Sequence, residues 1–300
     1  MKRTYGRLAL VNEGSEWELS GIEPHVAIRL KHLFPRVPKQ SVGPFRFPMD
    51  QMHCADLDWF ASRYPMAMTP ADEAALRGGR LEFESQQAEL ERILLPGYVA
   101  GKVNGIRNDQ VLRNYQAQAV ELVRHRRELL LGDEGGLGKT FTAGAFLASE
   151  KGAIPAAVVC DPHMQKQWRD KLMGFTTLTV HVIKKASPYD LPPADVYVFR
   201  ISQILGWVDV FNTGYFKAVV YDEPQSLRTG TSTSKGVAAK VLSEKALYRL
   251  GCTATPIYNY GVEMWNVMQF IAPMVLGSYE DFCREWVDNY GKIRDPKALG

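Results

Sequence analysis

A chain of 300 residues with 46% apolar side chains has the length for one large or two ordinary domains and the composition of a folded protein with a proper core. Its net charge of +3 is too small to identify a polyanionic partner, because phosphate contacts come from local clusters of Lys and Arg, so nucleic acid stays open. Cys54, Cys160, Cys252 and Cys283 lie far apart without a CxxC or Cys/His cluster, and no uncharged run approaches the roughly 18 residues of a membrane span; neither a disulfide framework, a zinc site nor a membrane partner is indicated, and a reducing, cytoplasmic setting is expected.

The first 97 residues read as a small α+β accessory module. In "EPHVAIRLKHLFPRVPK" the apolar Val26, Leu30, Leu33 and Phe34 recur at helical spacing, His25, Arg29 and His32 fall on another face, and Pro35 ends the pattern. Arg29, Lys31 and Arg36 make that face basic, which suits either a grip on DNA or an ordinary solvated surface. "ADLDWFASRYP" reads as a second helix. "TPADEAALRGG" reads as a third, with Thr69 as N-cap, Pro70 at the first helical position and Gly78 at the end.

From about Leu112 the texture changes. The apolar runs "ELLLG", "AAVVCD", "LTVHVI", "DVYVFR", "AVVYDE" and "LYRLGC" alternate with helical stretches, which predicts a parallel sheet covered by helices on both faces over residues 98–300. Ahead of the first run, "LRNYQ" places Gln116 early in a helix, where its amide can donate to and accept from one edge of an adenine. After that run, "GDEGGLGKT" matches the GxxxxGK[ST] pattern at Gly138, Lys139 and Thr140 but has Asp133 in the first position. A loop nearly free of side chains lets backbone N–H groups close around phosphate oxygens, the following helix adds positive partial charge, Lys139 neutralises the outer phosphates and Thr140 offers a magnesium ligand. In "AVVYDEPQSL" a β-branched run ends in two carboxylates. Strand ends of parallel sheets face the ligand crevice, so Asp222 fits as the acid that holds magnesium and Glu223 as the base that orients water. In "GCTATP" the hydroxyls of Thr253 and Thr255 are placed to report on the γ-phosphate.

These stretches, in this order, resemble the ATPase core of superfamily two helicases, specifically the Swi/Snf-type branch of DNA translocases, of bacterial or bacteriophage kind. "LRNYQ" resembles its glutamine motif, "GDEGGLGKT" its motif I, in which Asp133 is usual, "DEPQ" its DEAH-type motif II and "GCTATPIYN" its motif III. The likeness runs over residues 110–290 and implies a RecA-like P-loop NTPase lobe. It further implies an ATP site built from Arg113, Tyr115, Gln116, Asp133, Gly135, Gly136, Leu137, Gly138, Lys139 and Thr140, with Mg2+ on Thr140 and Asp222, catalysis by Lys139, Asp222 and Glu223, and coupling through Gln225, Thr253 and Thr255. "VVCDPHMQKQW" is similar to motif Ia, where Trp168 packs in the core while His163 and Gln167 are candidate DNA contacts. "VFRISQIL" is similar to the next DNA-facing motif, with Ser202 the candidate.

Two departures bear on mechanism. Gln225 stands where the family usually has His; it can hydrogen-bond but cannot carry a proton. Pro224 replaces a small flexible residue. The sequence ends at "IRDPKALG", soon after motif III, without a recognisable second lobe and its arginine finger. A fragment of a longer polypeptide and a natural half-protein with a second RecA-like lobe in trans both fit. Loss of an arginine finger costs about 10³ to 10⁵ in kcat, so the isolated lobe is expected to bind ATP and hydrolyse it poorly. A binding or regulatory module without turnover and an unrelated P-loop kinase or transporter ATPase are the competing expectations; "LRNYQ" and "GCTATPIYN" argue against the latter pair.

Overall fold

The computed structural model describes residues 3–34, 36–107, 109–255, 260–273 and 275–295, and the chain divides into the units Met1–Leu95 and Pro96–Gly300. In the first unit, β1 (Arg7–Val11), β2 (Glu16–Ser20), α1 (Pro24–Leu33), β3 (Phe45–Pro48), α2 (Gln51–Arg63) and α3 (Pro70–Leu94) follow in order. The three strands pair antiparallel as β1-β2-β3, with Leu8 opposite Leu19 and Trp17 opposite Phe47. Alternation sends Leu8, Trp17, Leu19, Phe45 and Phe47 inward against Val26, Leu30, Cys54, Leu57, Phe60 and Leu76 of the helices, while Glu18 and Arg46 pair outside.

Three expectations for this unit need correcting. In α1, Val26 and Leu30 are buried but Leu33, at the helix end, is 45% exposed; Pro35 lies outside the described residues. Helix α2 starts at Gln51, because the Asp50 carboxylate caps it by accepting from the His53 N–H at 2.8 Å. Helix α3 starts as expected, with Thr69 and Asp72 capping each other, but it continues through Gly78 to Leu94. A glycine inside a helix costs only about 1 kcal/mol, and the next residue has a packing reason: a Cβ on Gly79 would lie 2.6 Å from Cys54 Sγ, so glycine lets α3 close on α2.

The second unit runs α4 (Asn114–Arg126), β4 (Glu128–Leu131), α5 (Lys139–Ser149), β5 (Ala156–Cys160), α6 (Gln165–Phe175), β6 (Val180–Val182), β7 (Val196–Arg200), α7 (Val208–Asn212), β8 (Ala218–Asp222), α8 (Ser234–Lys245), β9 (Tyr248–Cys252), α9 (Gly261–Ile271) and α10 (Tyr279–Trp286). All six apolar runs are strands, and they form one parallel sheet in the order β4-β9-β8-β5-β7-β6. One face buries Val158, Val198, Val220 and Leu250 against Val120, Phe146, Trp168 and Leu172 of α4, α5 and α6. The other buries Val159, Phe199, Val219 and Tyr221 against Phe211, Leu242 and Phe270 of α7, α8 and α9. With both faces covered, β4, β9 and β8 lie side by side and their carboxyl ends share one edge.

Candidate nucleotide site

The strand register builds the site. Cys252, the last residue of β9, pairs with Leu131 of β4 on one side and Asp222 of β8 on the other. The ladder continues past the strand ends: Thr253 N–H donates to the Leu131 carbonyl at 3.0 Å, and Glu223 N–H donates to the Cys252 carbonyl at 2.8 Å. The glycine loop, the acid pair and Thr253 therefore leave the sheet at one point. The buried Cys252 thiol senses all of them: burial holds it protonated far above the usual thiol range, and Asp222, Lys139, Glu223 and Asp133 are the charges that act on it.

In the loop, Gly136 and Gly138 have φ of 85° and 86°, a left-handed conformation that side chains resist. A Cβ on Gly138 would also meet Gln116 Nε2 at 2.5 Å. Gln116 is buried, with its Oε1 accepting from Arg113 N–H at 3.0 Å and its Nε2 donating to the Leu137 carbonyl at 3.1 Å; Tyr115 OH donates to that same carbonyl at 2.8 Å. The glutamine motif thus grips the loop that precedes helix α5. Lys139 Nζ donates to the carbonyls of Asp133 and Glu134, at 2.6 and 3.1 Å, and Thr140 follows it in the first turn of α5.

Across β9, Asp222 accepts from the indole Nε1–H of Trp168 at 2.8 Å. Burial raises its carboxyl above the ordinary value of 3.8; the Trp168 bond works against that, and Glu223 and Asp161 add to it. Glu223 is held at φ 50°, ψ 63°, a backbone state that costs a residue with a side chain about 1 kcal/mol and that collects at functional positions. Its Oε2 receives two donors, Thr253 Oγ1 at 2.8 Å and Gln225 Nε2 at 2.6 Å. Gln225 Nε2 also lies 3.4 Å from Thr255 Oγ1, and Thr255 N–H donates to Thr253 Oγ1 at 3.0 Å, so Glu223, Gln225, Thr253 and Thr255 form one network. Pro256, Ile257, Tyr258 and Asn259, the rest of "GCTATPIYN", lie outside the described residues.

The remaining candidates do not converge on this point. His163, Gln167 and Ser202 are exposed, in the segments that follow the carboxyl ends of β5 and β7. Arg29 is exposed on α1, and Lys31 Nζ donates to the Lys39 carbonyl at 2.9 Å in the first unit. Sequence reasoning placed Trp168 in the core, where it is, and missed its bond to Asp222. A buried indole N–H nearly always finds an acceptor, which was the available signal.

A glycine loop gripped from behind, an acid pair across one strand and a parallel sheet between two helical layers define a RecA-like P-loop NTPase lobe. The particular family follows from comparison with known proteins: the model of the SNF2-related domain matches residues 55–294, and the chain belongs to that family. A solved structure described as the Sulfolobus solfataricus SWI2/SNF2 ATPase core in complex with dsDNA is similar at 27% identity and a TM-score of 0.56, over 63% of this chain and 41% of that one. An uncharacterized ATP-dependent helicase of Mycoplasma genitalium is 25% identical over 58% of this chain and 18% of its own length. The TATA-binding protein-associated factor MOT1 of Saccharomyces cerevisiae is 25% identical over 62% of this chain and 11% of its own length. The chain thus spans less than a fifth of those two relatives. Among the described residues, no helix is long and apolar enough to cross a membrane.

Proposed function

We propose that this chain is the first motor lobe of a DNA-dependent ATPase that moves along duplex or branched DNA in remodelling, repair or recombination, with a second RecA-like lobe in cis or in trans. The observation that carries the reading is the meeting of loop and acid pair on either side of Cys252. Arg113, Tyr115, Gln116, Asp133, Gly135, Gly136, Leu137 and Gly138 shape the ATP site, and Lys139 exchanges the carbonyls of Asp133 and Glu134 for phosphate oxygens. The Thr140 hydroxyl and the Asp222 carboxylate suit Mg2+: they are hard oxygen donors, and the charge on Asp222 is disfavoured until a cation relieves it. Bound with ATP, Mg2+ supplies charge neutralisation at the phosphates. Glu223, pinned at one oxygen, orients the attacking water with the other, and Thr253, Thr255 and Gln225 couple it to lobe closure. His163, Gln167 and Ser202 face the DNA backbone, and the accessory module of residues 1–97 adds Arg29 and Lys31. The likeness to a core bound to dsDNA and to an ATP-dependent helicase supports this assignment, and the setting that goes with it is the cytoplasm and nucleoid of a bacterial or phage-infected cell.

The test is ATP hydrolysis with and without duplex DNA, by this chain and by one joined to a second lobe. The expected result is weak turnover alone and DNA-stimulated turnover in the two-lobe form, abolished by Lys139→Ala and by Glu223→Gln. Tight nucleotide or DNA binding without turnover in the two-lobe form would replace the motor with a regulatory module.

A further inference from the structure

The contact between Trp168 and Asp222 joins two residues 54 positions apart at 2.8 Å, and Trp168 is completely buried. A hydrogen bond from an N–H to a carboxylate is charge-assisted and stronger than one to a neutral carbonyl. The terminal torsion of an aspartate is broad, so a carboxylate without an anchor presents either oxygen in many orientations. Here the anchor is rigid. Trp168 sits on α6 with Leu172 and Phe175 in the core beside it. The start of α6 is bolted to β7 by Gln165, whose Nε2 donates to the Val198 carbonyl at 2.9 Å and whose Oε1 accepts from Arg200 Nε at 2.9 Å. Helix α6 is also pressed onto α5, the helix that begins with Lys139 and Thr140: a Cβ on Gly144 would lie 2.7 Å from Leu172 Cδ2.

We infer that Trp168 is a positioning residue for the divalent cation: its indole N–H fixes Oδ2 of Asp222 and so aims Oδ1 at the metal that accompanies the nucleotide. This rests on the nucleotide site proposed above. Substitutions that remove the partner of a metal-ligating side chain typically weaken metal binding 10- to 100-fold, and that sets the expected size.

The experiment measures binding of a fluorescent methylanthraniloyl-ADP to the chain in excess Mg2+ and in EDTA. Wild type is expected to bind more tightly with Mg2+. Trp168→Phe keeps the aromatic packing and deletes the donor; it is expected to lose about tenfold in Mg2+, to match wild type in EDTA within about twofold, and to need about tenfold more free Mg2+ for half-saturation. Leu172→Ala, a core truncation on the same helix, is expected to lower Tm while keeping the wild-type ratio between the two conditions. Equal weakening of Trp168→Phe in both conditions, or an unchanged ratio, overturns the inference. Should that variant not fold, 15N-tryptophan labelling of the wild type gives the same decision: among the six indole signals, the one displaced by Asp222→Asn must move with Mg2+-ADP and stay still with ADP in EDTA. Its failure to do so overturns the inference as well. A wild type that binds the nucleotide but gains nothing from Mg2+ also overturns the inference, whereas one that binds it in neither condition removes the nucleotide site itself, a separate result.

Discussion

At the carboxyl edge of the parallel sheet, a half-buried aspartate, a glutamate in a left-handed turn, two threonines and a buried glutamine each have their polar atoms directed by a partner between 2.6 and 3.4 Å away. In the unit Met1–Leu95 several charged groups lie on exposed helix faces and pair with a neighbour one turn away, as Arg77 with Glu73. Exposed pairs at this spacing stabilise a helix by a few tenths of a kcal/mol and leave their side chains free to swing. A desolvated polar group must be held, so it points in a defined direction, and direction is what a phosphate or a metal ion reads. The contrast teaches where to look for chemistry: at orientation, more than at the number of charges.

The contrast can be broken or sharpened by substitution, and the largest effect falls on the held groups. Glu223→Gln in the two-lobe form is expected to lower turnover by about 10² to 10⁴ while nucleotide still binds, read by steady-state hydrolysis beside methylanthraniloyl-ADP titration. In the first unit the sensitive place is packing. Gly79→Ala drives a methyl group into Cys54 and is expected to destabilise by about 1 to 3 kcal/mol in denaturant unfolding, with nucleotide affinity unchanged. Thr253→Val keeps the shape but deletes one donor to Glu223; turnover should fall about tenfold with little change in the KM for ATP, and unchanged turnover would remove Thr253 from the coupling network.

Asp222→Asn tests the burial of charge from the opposite direction. Because the fold raises this carboxyl above 3.8, its contribution to stability is present in acid and is lost as pH rises through the raised value. The nucleotide-free Asn variant, which still offers Trp168 an oxygen, should therefore melt about 1 to 3 °C above wild type at pH 7, and the gap should close near pH 4, while activity is lost. The smallest effect is expected at the exposed basic face. The double change Arg29→Ala, Lys31→Ala should alter stability by less than about 0.5 kcal/mol. It should reduce the salt dependence of duplex binding by about one to two phosphate contacts; an unchanged salt slope would free that face from any role on DNA.

The same contrast explains what the residues disclosed. Six strands were legible because a sheet covered on both faces demands near-continuous apolar runs, and "AAVVC" and "AVVYD" contain little else. The Thr69 cap was legible because its partner lies three residues on. Gly78 misled because a glycine stops a helix only where the left-handed turn follows, and here packing of Gly79 on Cys54 carries the helix forward. The antiparallel strands of the first unit are short and half-buried, and each makes sense only once its neighbours are in place. In the site, the loop and the acid pair announced themselves by local spacing. The clasp on Leu137 and the bond from Trp168 to Asp222 did not, since each joins segments brought together by the sheet.

Helix α6 alternates in a telling way: Gln167 faces outward and Trp168, next in the chain, reaches the carboxylate. The outer surface of the helix and its contact with the acid of the site are thus a single peptide step apart. Because a helix sets consecutive side chains about 100° apart, one residue of α6 stands open to solvent while its neighbour in the chain is tied to Asp222.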